Sequence, residues 1–483
     1  MKRISPLEEI FHQPFCRRSS EDHNITFTHS THNLLPMSNR NQTELDLIVW
    51  GATGFTGRLA CAYLSQDASK FFSFALRQDL SLKHVKWGVA GRNRSKMQAV
   101  LDDCGAPKNT PILVVDAEDG NAIEKMVSKS RVIISCAGPF VRFSDKVVEA
   151  CAKSGCHYVD ICGEPVWVRS CVDRFQDRAQ AAGACIVNFC GYDSIPSDLG
   201  CYFAVQALRN KLGDPDASIR SVKCYQIMFT GGGAGFSGGS LQTGLVSKSN
   251  PKLQLTTGVN PDSPFLLGGE PVCGMRGIDM FQTEASFSHD IGCWIAPFAM
   301  ERINAVATRR SAANLSFGPN FNYQEVIVTP SQKAATKAAK RTTSPIPPEK
   351  IKAMIDQGRL PKSGEGPPPK HRANSSFLTL LVAEADNDES PRVCVAVRGG
   401  ESGYEETAKM VVESALALAL QPADCPGYTA AGFQSTAMCM GPVLIQRLNN
   451  AGIQFYVVED PQREVMNFWQ ECKEKMSASK ARL

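Results

Sequence analysis

Three glycines at fixed spacing follow an apolar segment near the start of the chain. The segment Leu45 to Trp50 (LDLIVW) has the composition of a buried strand, and Gly51, Gly54 and Gly57 follow it in the sequence GATGFTG. Glycines at this spacing permit a sharp turn, let a pyrophosphate approach backbone amides, and let the next helix pack closely on a sheet. The N-terminus of that helix favours an anion. The pattern predicts a dinucleotide-binding turn, although an ordinary strand-to-helix turn can carry the same glycines.

A basic segment ends the second predicted strand and bears on the choice of dinucleotide. Ala90 to Arg94 reads AGRNR, whereas NAD sites place an acidic residue here for the ribose 2′-hydroxyl. Charge-assisted hydrogen bonds from Arg92 and Arg94 to a 2′-phosphate would each contribute about 1.5–3 kcal/mol, so the segment predicts NADP(H). A solvated, basic helix start is the alternative. Arg92 lies further from the glycines than is usual, and we interpret residues 67–83 as an insertion.

Strands and helices alternate through the next part of the chain. Predicted strands centre on Trp87, Val114, Ile134, Val159 and Val187, and helical stretches separate them. Such alternation predicts an α/β fold with a doubly wound, parallel Rossmann sheet and right-handed crossovers. The pattern changes after residue 200, and a second α/β domain with a mixed sheet is expected there.

The predicted domain boundaries are as follows. Residues 1–44 form a disordered extension, 45–200 the Rossmann domain, 201–430 the substrate domain with a basic, proline-rich linker at 333–372, and 431–483 a C-terminal helix and strand that return toward the Rossmann domain. Within these, we expect a helix from Ser197, its N-cap, to Lys211. We also expect a helix over 404–420 that covers a hairpin of strands 377–385 and 391–399.

Two further segments have open interpretations. The glycine-rich sequence 230–240 either lines a ligand or forms a flexible turn. Arg302, Arg309 and Arg310 have spacings that could form a basic stripe on one helix, which is typical of a solvated face. The basic residues of 333–372 raise the further hypothesis of contact with anionic lipid.

Composition excludes several classes of protein. The chain has 483 residues, 43% hydrophobic and 21% charged, with a net charge of +4, which is too small to indicate a nucleic-acid partner. The 18 cysteines form no C-x-x-C pair and predict reduced, buried thiols. No metal site and no membrane-spanning segment are predicted. The expected location is intracellular, with a mitochondrial presequence as the alternative reading of the N-terminus.

Several sequence blocks in order resemble the saccharopine dehydrogenase-like oxidoreductases, and within them the group of the trans-acting enoyl reductases. The resemblance runs from Leu45 to Phe455. Its blocks are GATGFTGRLA (51–60), AGR (90–92), CAGPF (136–140), HYVDICGE (157–164), GYDSIPSDLG (191–200), WIAPFAM (294–300), GEGP (364–367) and GYEETAKM (403–410). It implies a Rossmann domain with NADP, a second α/β domain, and acyl or lipid substrates. Relatives associate with lipid droplets, mitochondria or membranes, so peripheral membrane contact is an expectation, as is a homodimer.

The resemblance and the sheet topology together nominate site residues. Ligands of a doubly wound sheet bind at the carboxyl ends of its strands, which points to CAGPF, DICGE and GYDSIPSD. The candidate catalytic residues are Tyr192, Asp193, Ser194, Asp160 and Glu164. Tyr192 is suited to donate a proton, although the related motif commonly has Phe there. Asp160 and Glu164 either orient substrate or satisfy loop amides and a helix start.

The expected cofactor contacts come from the strand ends on the other side of the same crevice. They are Gly51, Thr53, Gly54, Phe55, Thr56, Gly57, Gly91, Arg92, Asp116, Ala137, Gly138 and Pro139. Cys136 is expected to be packed rather than reactive.

Three hypotheses of function follow from these residues. The first is an NADP-dependent oxidoreductase that reduces an enoyl or related acyl or lipid intermediate. The second is a saccharopine-type amino acid dehydrogenase, which requires arginines that clamp carboxylates. The third is a non-catalytic NADP-binding protein associated with lipid droplets. Inward-facing arginines would favour the second, and turnover with unsaturated thioesters would exclude the third.

Overall fold

The structure of the chain is a computed structural model. It describes residues 43–66, 82, 84–230, 235, 237–246, 259–270, 281–343 and 346–481. The predicted N-terminal extension, nearly all of the predicted insertion and much of the glycine-rich segment lie outside these ranges. Among the described residues, no helix has the length and apolar character needed to cross a bilayer.

The first sheet is parallel throughout and has seven strands in the order β13-β6-β5-β4-β1-β2-β3. Its central strands are apolar and buried on both faces, as expected of a parallel sheet covered by helices. The prediction of a doubly wound Rossmann sheet is confirmed. The strands are β1 (Leu45–Trp50), β2 (Trp87–Gly91), β3 (Ile112–Val114), β4 (Ser130–Ser135), β5 (His157–Asp160), β6 (Cys185–Val187) and β13 (Gly432–Gln434).

Helices connect these strands and cover both faces of the sheet. They are α1 (Phe55–Ser65), α2 (Arg94–Asp103), α3 (Gly120–Val127), α4 (Phe140–Phe143), α5 (Asp145–Ser154), α6 (Pro165–Ala182) and α7 (Ile195–Leu212). Helices α3, α5 and α6 pack together on one face. Helix α1 lies on the other.

The second sheet is mixed and also has seven strands, in the order β14-β12-β11-β7-β10-β9-β8. Strand β10 runs parallel to β7, and the remaining pairs are antiparallel. The hairpin of β11 and β12 is the predicted one. The strands are β7 (Ile219–Phe229), β8 (Ser286–Ser288), β9 (Cys293–Pro297), β10 (Asn322–Thr329), β11 (Ser376–Ala385), β12 (Arg392–Gly399) and β14 (Gln454–Val458).

The remaining helices belong to the second half of the chain. They are α8 (Gly238–Val246), α9 (Glu301–Asn314), α10 (Gln332–Thr343), α11 (Pro348–Asp356), α12 (Pro369–Ala373), α13 (Thr407–Leu420), α14 (Thr436–Cys439), α15 (Gly441–Asn450) and α16 (Pro461–Ala481). A π-helical turn, Ser402–Glu406, precedes α13, and a 3-10 turn, Pro422–Asp424, follows it.

Two buried helices join the sheets into one continuous core. Helix α7 packs on β11 and β12, where Gly200 permits close approach: a Cβ there would lie 2.7 Å from Leu381 Cδ1. Helix α13 is buried from Thr407 to Ala419, and its two charged residues are ion-paired: Lys409 with Glu406 and Glu413 with Arg447. It packs on α1, β4 and β5 of the Rossmann sheet. The prediction that this helix covers the hairpin is therefore wrong, because α7 takes that place.

Three local predictions from sequence also differ from the structure. Ser197 is not the N-cap of α7: the N-cap is Ser194, and the Ser197 hydroxyl inside the helix donates to Glu325. The segment 333–372 contains helices rather than only a linker, and Arg372 is buried. The expected basic stripe on α9 is not a solvated face, since Arg309 is 2% exposed and donates to the carbonyl of Tyr323.

The C-terminal part returns to both sheets. Strand β13 pairs with β6 of the Rossmann sheet, whereas β14 pairs with β12 of the second sheet. All 16 described cysteines are free thiols, and only Cys136 and Cys293 are not fully buried. The expectation of reduced, packed thiols agrees with this.

Candidate active site

The glycine turn after β1 is shaped for a ligand that needs bare backbone. Gly51 has φ +81°, and a Cβ there would lie 2.8 Å from Ala137 Cβ. At Gly57 a Cβ would lie 2.3 Å from the Gly51 carbonyl oxygen. Gly54 is the N-cap of α1 and no side chain caps the helix there, so the N–H groups of its first turn stay available to an anion. These residues fit the pyrophosphate of a dinucleotide.

The segment after β4 lies against this turn. Cys136 N donates to the Trp50 carbonyl over 2.9 Å, which places Ala137 beside Gly51. The Gly138–Pro139 peptide bond is cis. Burial raises the pKa of the Cys136 thiol to about 12, which agrees with a packed rather than a reactive cysteine. Ala137, Gly138 and Pro139 thus stand where the sequence prediction put them, at the carboxyl edge of the sheet.

The other predicted cofactor contacts lie at the ends of β2 and β3. Gly91 ends β2, and Arg92 follows it with an exposed side chain. Arg94 Nη2 donates to the Ile112 carbonyl over 3.1 Å, so this guanidinium is committed to the backbone of β3. Asp116 accepts from Glu118 N in a local turn. Arg92 is therefore the better placed of the two arginines to meet a 2′-phosphate.

Replacing Arg92 with Asp is expected to weaken NADPH binding roughly 10- to 100-fold while NADH affinity changes little, because only NADPH carries the 2′-phosphate. Titration of each nucleotide by protein fluorescence measures this. Arg94→Gln serves as the control and should affect both nucleotides similarly. Equal loss of NADPH and NADH in Arg92→Asp would contradict the assignment.

A cavity of about 70 Å³ lies between α1 and the ends of β5 and β6. Its walls come from both halves of the molecule. They are Thr56, Ile161, Cys162, Phe189, Gly191, Tyr192, Asp193, Ser194, Ser240, Gly403, Tyr404 and Thr407. Thr56 belongs to the first turn of α1, so the cavity adjoins the predicted dinucleotide site.

Asp193 is the only ionisable carboxyl group in the described wall of this cavity. Water reaches its side chain through the cavity, but the surrounding protein atoms restrict solvation and raise the pKa of the carboxyl to about 6. None of the described residues donates a hydrogen bond to it. A carboxyl group in this setting can hold and release a proton near neutral pH.

The hydroxyl groups on either side of Asp193 are bonded to residues outside the cavity wall. The Tyr192 hydroxyl donates to Gln226 Oε1 over 3.1 Å, and the Ser194 hydroxyl donates to Asn304 Oδ1 over 3.1 Å. Burial, with a smaller contribution from the charge of Asp193, raises the pKa of Tyr192 well above its usual value. Of the three candidates in this turn, the structure leaves Asp193 best able to reach a ligand.

Asp160 and Glu164 have the structural roles that were the alternative to catalysis: they satisfy loop amides and the start of a helix. Asp160 accepts hydrogen bonds from the backbone of Cys162 and Phe189 and from Asn188 Nδ2 at 2.7 Å. Burial nevertheless raises its pKa to about 7. Glu164 accepts from the first two N–H groups of α4, at 2.8 and 3.1 Å. Both carboxylates hold loops at the sheet edge, and neither lines the cavity.

Of the cavity residues from the second half of the chain, Ser240 ends the glycine-rich segment 230–240, for which ligand lining was one interpretation, whereas Gly403, Tyr404 and Thr407 were not predicted. Tyr404 packs edge-on against Phe55 with ring centroids 4.9 Å apart, and its hydroxyl accepts from Ser237 N and contacts Ser240 Oγ. Thr407 Oγ1 accepts from Tyr192 N. The block GYEETAKM, quoted above for the resemblance, contained this signal, but nothing in the sequence placed it beside α1.

A second segment from the latter half of the chain covers the glycine turn, and we name residues 362–367 the strap. Arg58 donates to the Gly364 carbonyl, and Gly366 lies so close to Phe55 that a Cβ would come within 2.7 Å of its ring. Arg372 forms a buried ion pair with Glu405 at 2.9 Å, and its guanidinium carbon lies 5.4 Å from the centre of the Phe55 ring. The Phe55 side chain thus packs against residues from the second half of the chain.

Three buried carboxyl groups make stability depend on pH. Burial raises the pKa of Asp160 and Glu325 to about 7 and that of Glu301 to about 8. A carboxyl group whose pKa is higher in the folded state stabilises the fold most below its unfolded pKa, and the contribution is lost as pH rises through the folded value. We expect the free energy of unfolding to fall as pH rises from 5 to 8.5.

Denaturant titration at several pH values measures that slope. Glu301→Gln should flatten it, whereas the exposed Glu459→Gln should leave it unchanged. A free energy of unfolding that rises with pH over this range would contradict the assignment.

Part of the chain matches a family of known domains, and most of it is similar in sequence to known proteins. Residues 47–187 match the saccharopine dehydrogenase NADP binding domain. The trans-acting enoyl reductase of Mycobacterium leprae is 28% identical over 436 residues, 86% of this chain and 97% of that protein. The trans-acting enoyl reductase of Mycobacterium ulcerans is 28% identical over 436 residues, with 85% and 97% covered. The apo saccharopine dehydrogenase (L-Glu forming) of Saccharomyces cerevisiae has a TM-score of 0.47 and 11% identity, with 86% and 100% covered.

The matched domain contains the glycine turn, Arg92 and the ends of β1 to β6, so its cofactor is NADP, as predicted. The match to the enoyl reductases extends over both sheets. The chain thus contains a saccharopine dehydrogenase NADP binding domain and is similar over most of its length to the mycobacterial trans-acting enoyl reductases.

Proposed function

We propose that this protein is an NADPH-dependent enoyl reductase that acts on an acyl or lipid intermediate of lipid or glycolipid metabolism. The observation that carries the proposal is the cavity beside α1. It adjoins the turn suited to the dinucleotide and contains one carboxyl group, Asp193. None of its described wall residues is basic. The names of the mycobacterial relatives point to the same reaction.

The chain would supply a proton and orient the substrate. Bound NADPH supplies a hydride for the β-carbon of an α,β-unsaturated acyl group. The Asp193 carboxyl, with its pKa raised to about 6, holds the proton that the α-carbon must receive. The Tyr404 hydroxyl oxygen accepts from Ser237 N and lies 3.4 Å from Ser240 Oγ; its proton would turn from Ser240 to a substrate carbonyl oxygen as negative charge develops there.

The composition of the cavity wall disfavours an amino acid dehydrogenase. A saccharopine-type substrate carries several carboxylates, which require arginine or lysine partners. The described wall offers a carboxyl group and hydroxyls instead. Arg372, a nearby buried arginine, is already paired with Glu405.

Steady-state assays distinguish the three hypotheses. We expect NADPH oxidation, followed by its absorbance, with α,β-unsaturated acyl thioesters of short and long chain length, and no NADP reduction with saccharopine. Reduction of NADP by saccharopine would support the amino acid dehydrogenase. Tight NADPH binding without turnover on any unsaturated thioester would refute the proposal and favour a non-catalytic role.

A further inference from the structure

The turn that carries Asp193 is held by its neighbours rather than by its own side chain. No described residue donates a hydrogen bond to the Asp193 carboxylate, whereas Tyr192 and Ser194 on either side are buried and hydrogen-bonded. Where the carboxylate points in the cavity therefore depends on how these two neighbours are anchored.

The anchor of Tyr192 is an amide in the second sheet. Gln226, on β7, accepts from the Tyr192 hydroxyl and from Thr379 Oγ1 at 2.8 Å. With its oxygen so occupied, the amide nitrogen of Gln226 points the other way and donates to Glu325 Oε1 over 2.8 Å.

The anchor of Ser194 reaches the same oxygen by another route. Asn304, on α9, accepts from the Ser194 hydroxyl through Oδ1 and donates through Nδ2 to Glu325 Oε1 over 3.0 Å. Ser197, one turn further along α7, donates directly to that oxygen over 3.1 Å.

Glu325 Oε1 thus accepts hydrogen bonds from both Gln226 and Asn304. These two amides in turn hold Tyr192 and Ser194, the residues on either side of Asp193. We propose that Glu325 is a positioning residue that sets the direction of the Asp193 carboxylate through Gln226 and Asn304. The role of Asp193 as proton donor rests on the proposed function; the anchoring of the turn does not. Glu325 is fully buried on β10, so it acts without touching the ligand.

Glu325→Met tests the proposal, since Met has a similar size and accepts no such hydrogen bonds. We expect kcat to fall about 10- to 100-fold, the scale of a misplaced reacting group, with NADPH affinity unchanged within about twofold. In an Asp193→Asn background the same substitution should cause no further loss, because both act on one step. A further loss of equal size in that background would overturn the proposal.

Two matched variants separate anchoring from general packing. Glu325→Gln keeps an oxygen facing Gln226 and Asn304 and should restore most of the activity lost in Glu325→Met. Tyr323→Phe removes the donor to the other oxygen, Oε2, at 3.2 Å and should leave kcat nearly unchanged.

If Glu325→Met does not fold, Asn304→Leu removes one arm only and should lower kcat about tenfold. Loss of activity in Tyr323→Phe equal to that in Asn304→Leu would overturn the proposal.

A measurement without turnover distinguishes this proposal from the proposed function. The titration of Asp193, followed by 13C NMR of labelled aspartate and assigned with Asp193→Asn, should shift by more than about one pH unit in Glu325→Met. An unchanged titration would overturn the positioning role even if the protein is an enoyl reductase. A shifted titration in a protein inactive on every thioester would support positioning while refuting the function.

Discussion

Replacing Asp193 with Asn is expected to lower kcat with an unsaturated thioester by about 10²–10⁴-fold while leaving NADPH affinity unchanged. The asparagine has nearly the same shape but cannot release the proton that the α-carbon requires. In the unmodified protein, kcat/KM should fall as pH rises through about 6, because Asp193 loses that proton. The variant should lose this pH dependence together with its activity.

Tyr192→Phe is the matched control for this experiment. It removes one of the two anchors of the turn but keeps the carboxyl group, so we expect a loss of about tenfold, well below that of Asp193→Asn. Asp193→Asn with full activity, combined with an inactive Tyr192→Phe, would identify the tyrosine as the proton donor and refute our assignment.

Replacing Gly57 with Ala is expected to weaken NADPH binding about a hundredfold or more, a change of roughly 3 kcal/mol. The added Cβ would lie 2.3 Å from the Gly51 carbonyl oxygen and 2.9 Å from Ala52 Cα. Both are backbone atoms, which cannot move aside without opening the turn that the pyrophosphate requires. Isothermal titration calorimetry with NADPH measures the loss.

Gly120→Ala provides the comparison, because Gly120 is also a helical glycine of the Rossmann domain and a Cβ there would meet nothing within 4 Å. It should bind NADPH normally. Thermal unfolding of both variants separates loss of the turn from loss of the fold. Normal NADPH affinity in a folded Gly57→Ala protein would place the dinucleotide elsewhere.

The Rossmann half was predictable from sequence because its signals are local. Glycine spacing, apolar strands and helical spacers each report on a few neighbouring residues, and β1 to β6 occur where they were expected. The predictions that failed concern what a helix packs against, not whether the helix exists. Helix α13 was correctly expected as a helix, but it is buried on all sides, with Lys409 and Glu413 in buried ion pairs, so its apolar face does not identify the sheet that it covers.

Polar residues were harder to interpret because burial depends on distant partners. Arg309 has the sequence context of a solvated arginine, yet it is buried against a carbonyl of β10. Asp160 and Glu164 have the residue types of catalytic acids, but backbone N–H groups from other strand ends surround them. Tyr404 and Ser240 reach the cavity only because both sheets share one core. No local pattern encodes such contacts.

The strap makes the glycine turn depend on distant parts of the chain. Residues 362–367 lie over the first turn of α1, with Arg58 bonded to Gly364 and Gly366 against Phe55. Arg58 and Gly364 are 306 positions apart in the sequence. The turn predicted to bind the pyrophosphate is therefore shaped in part by residues that lie outside the NADP binding domain.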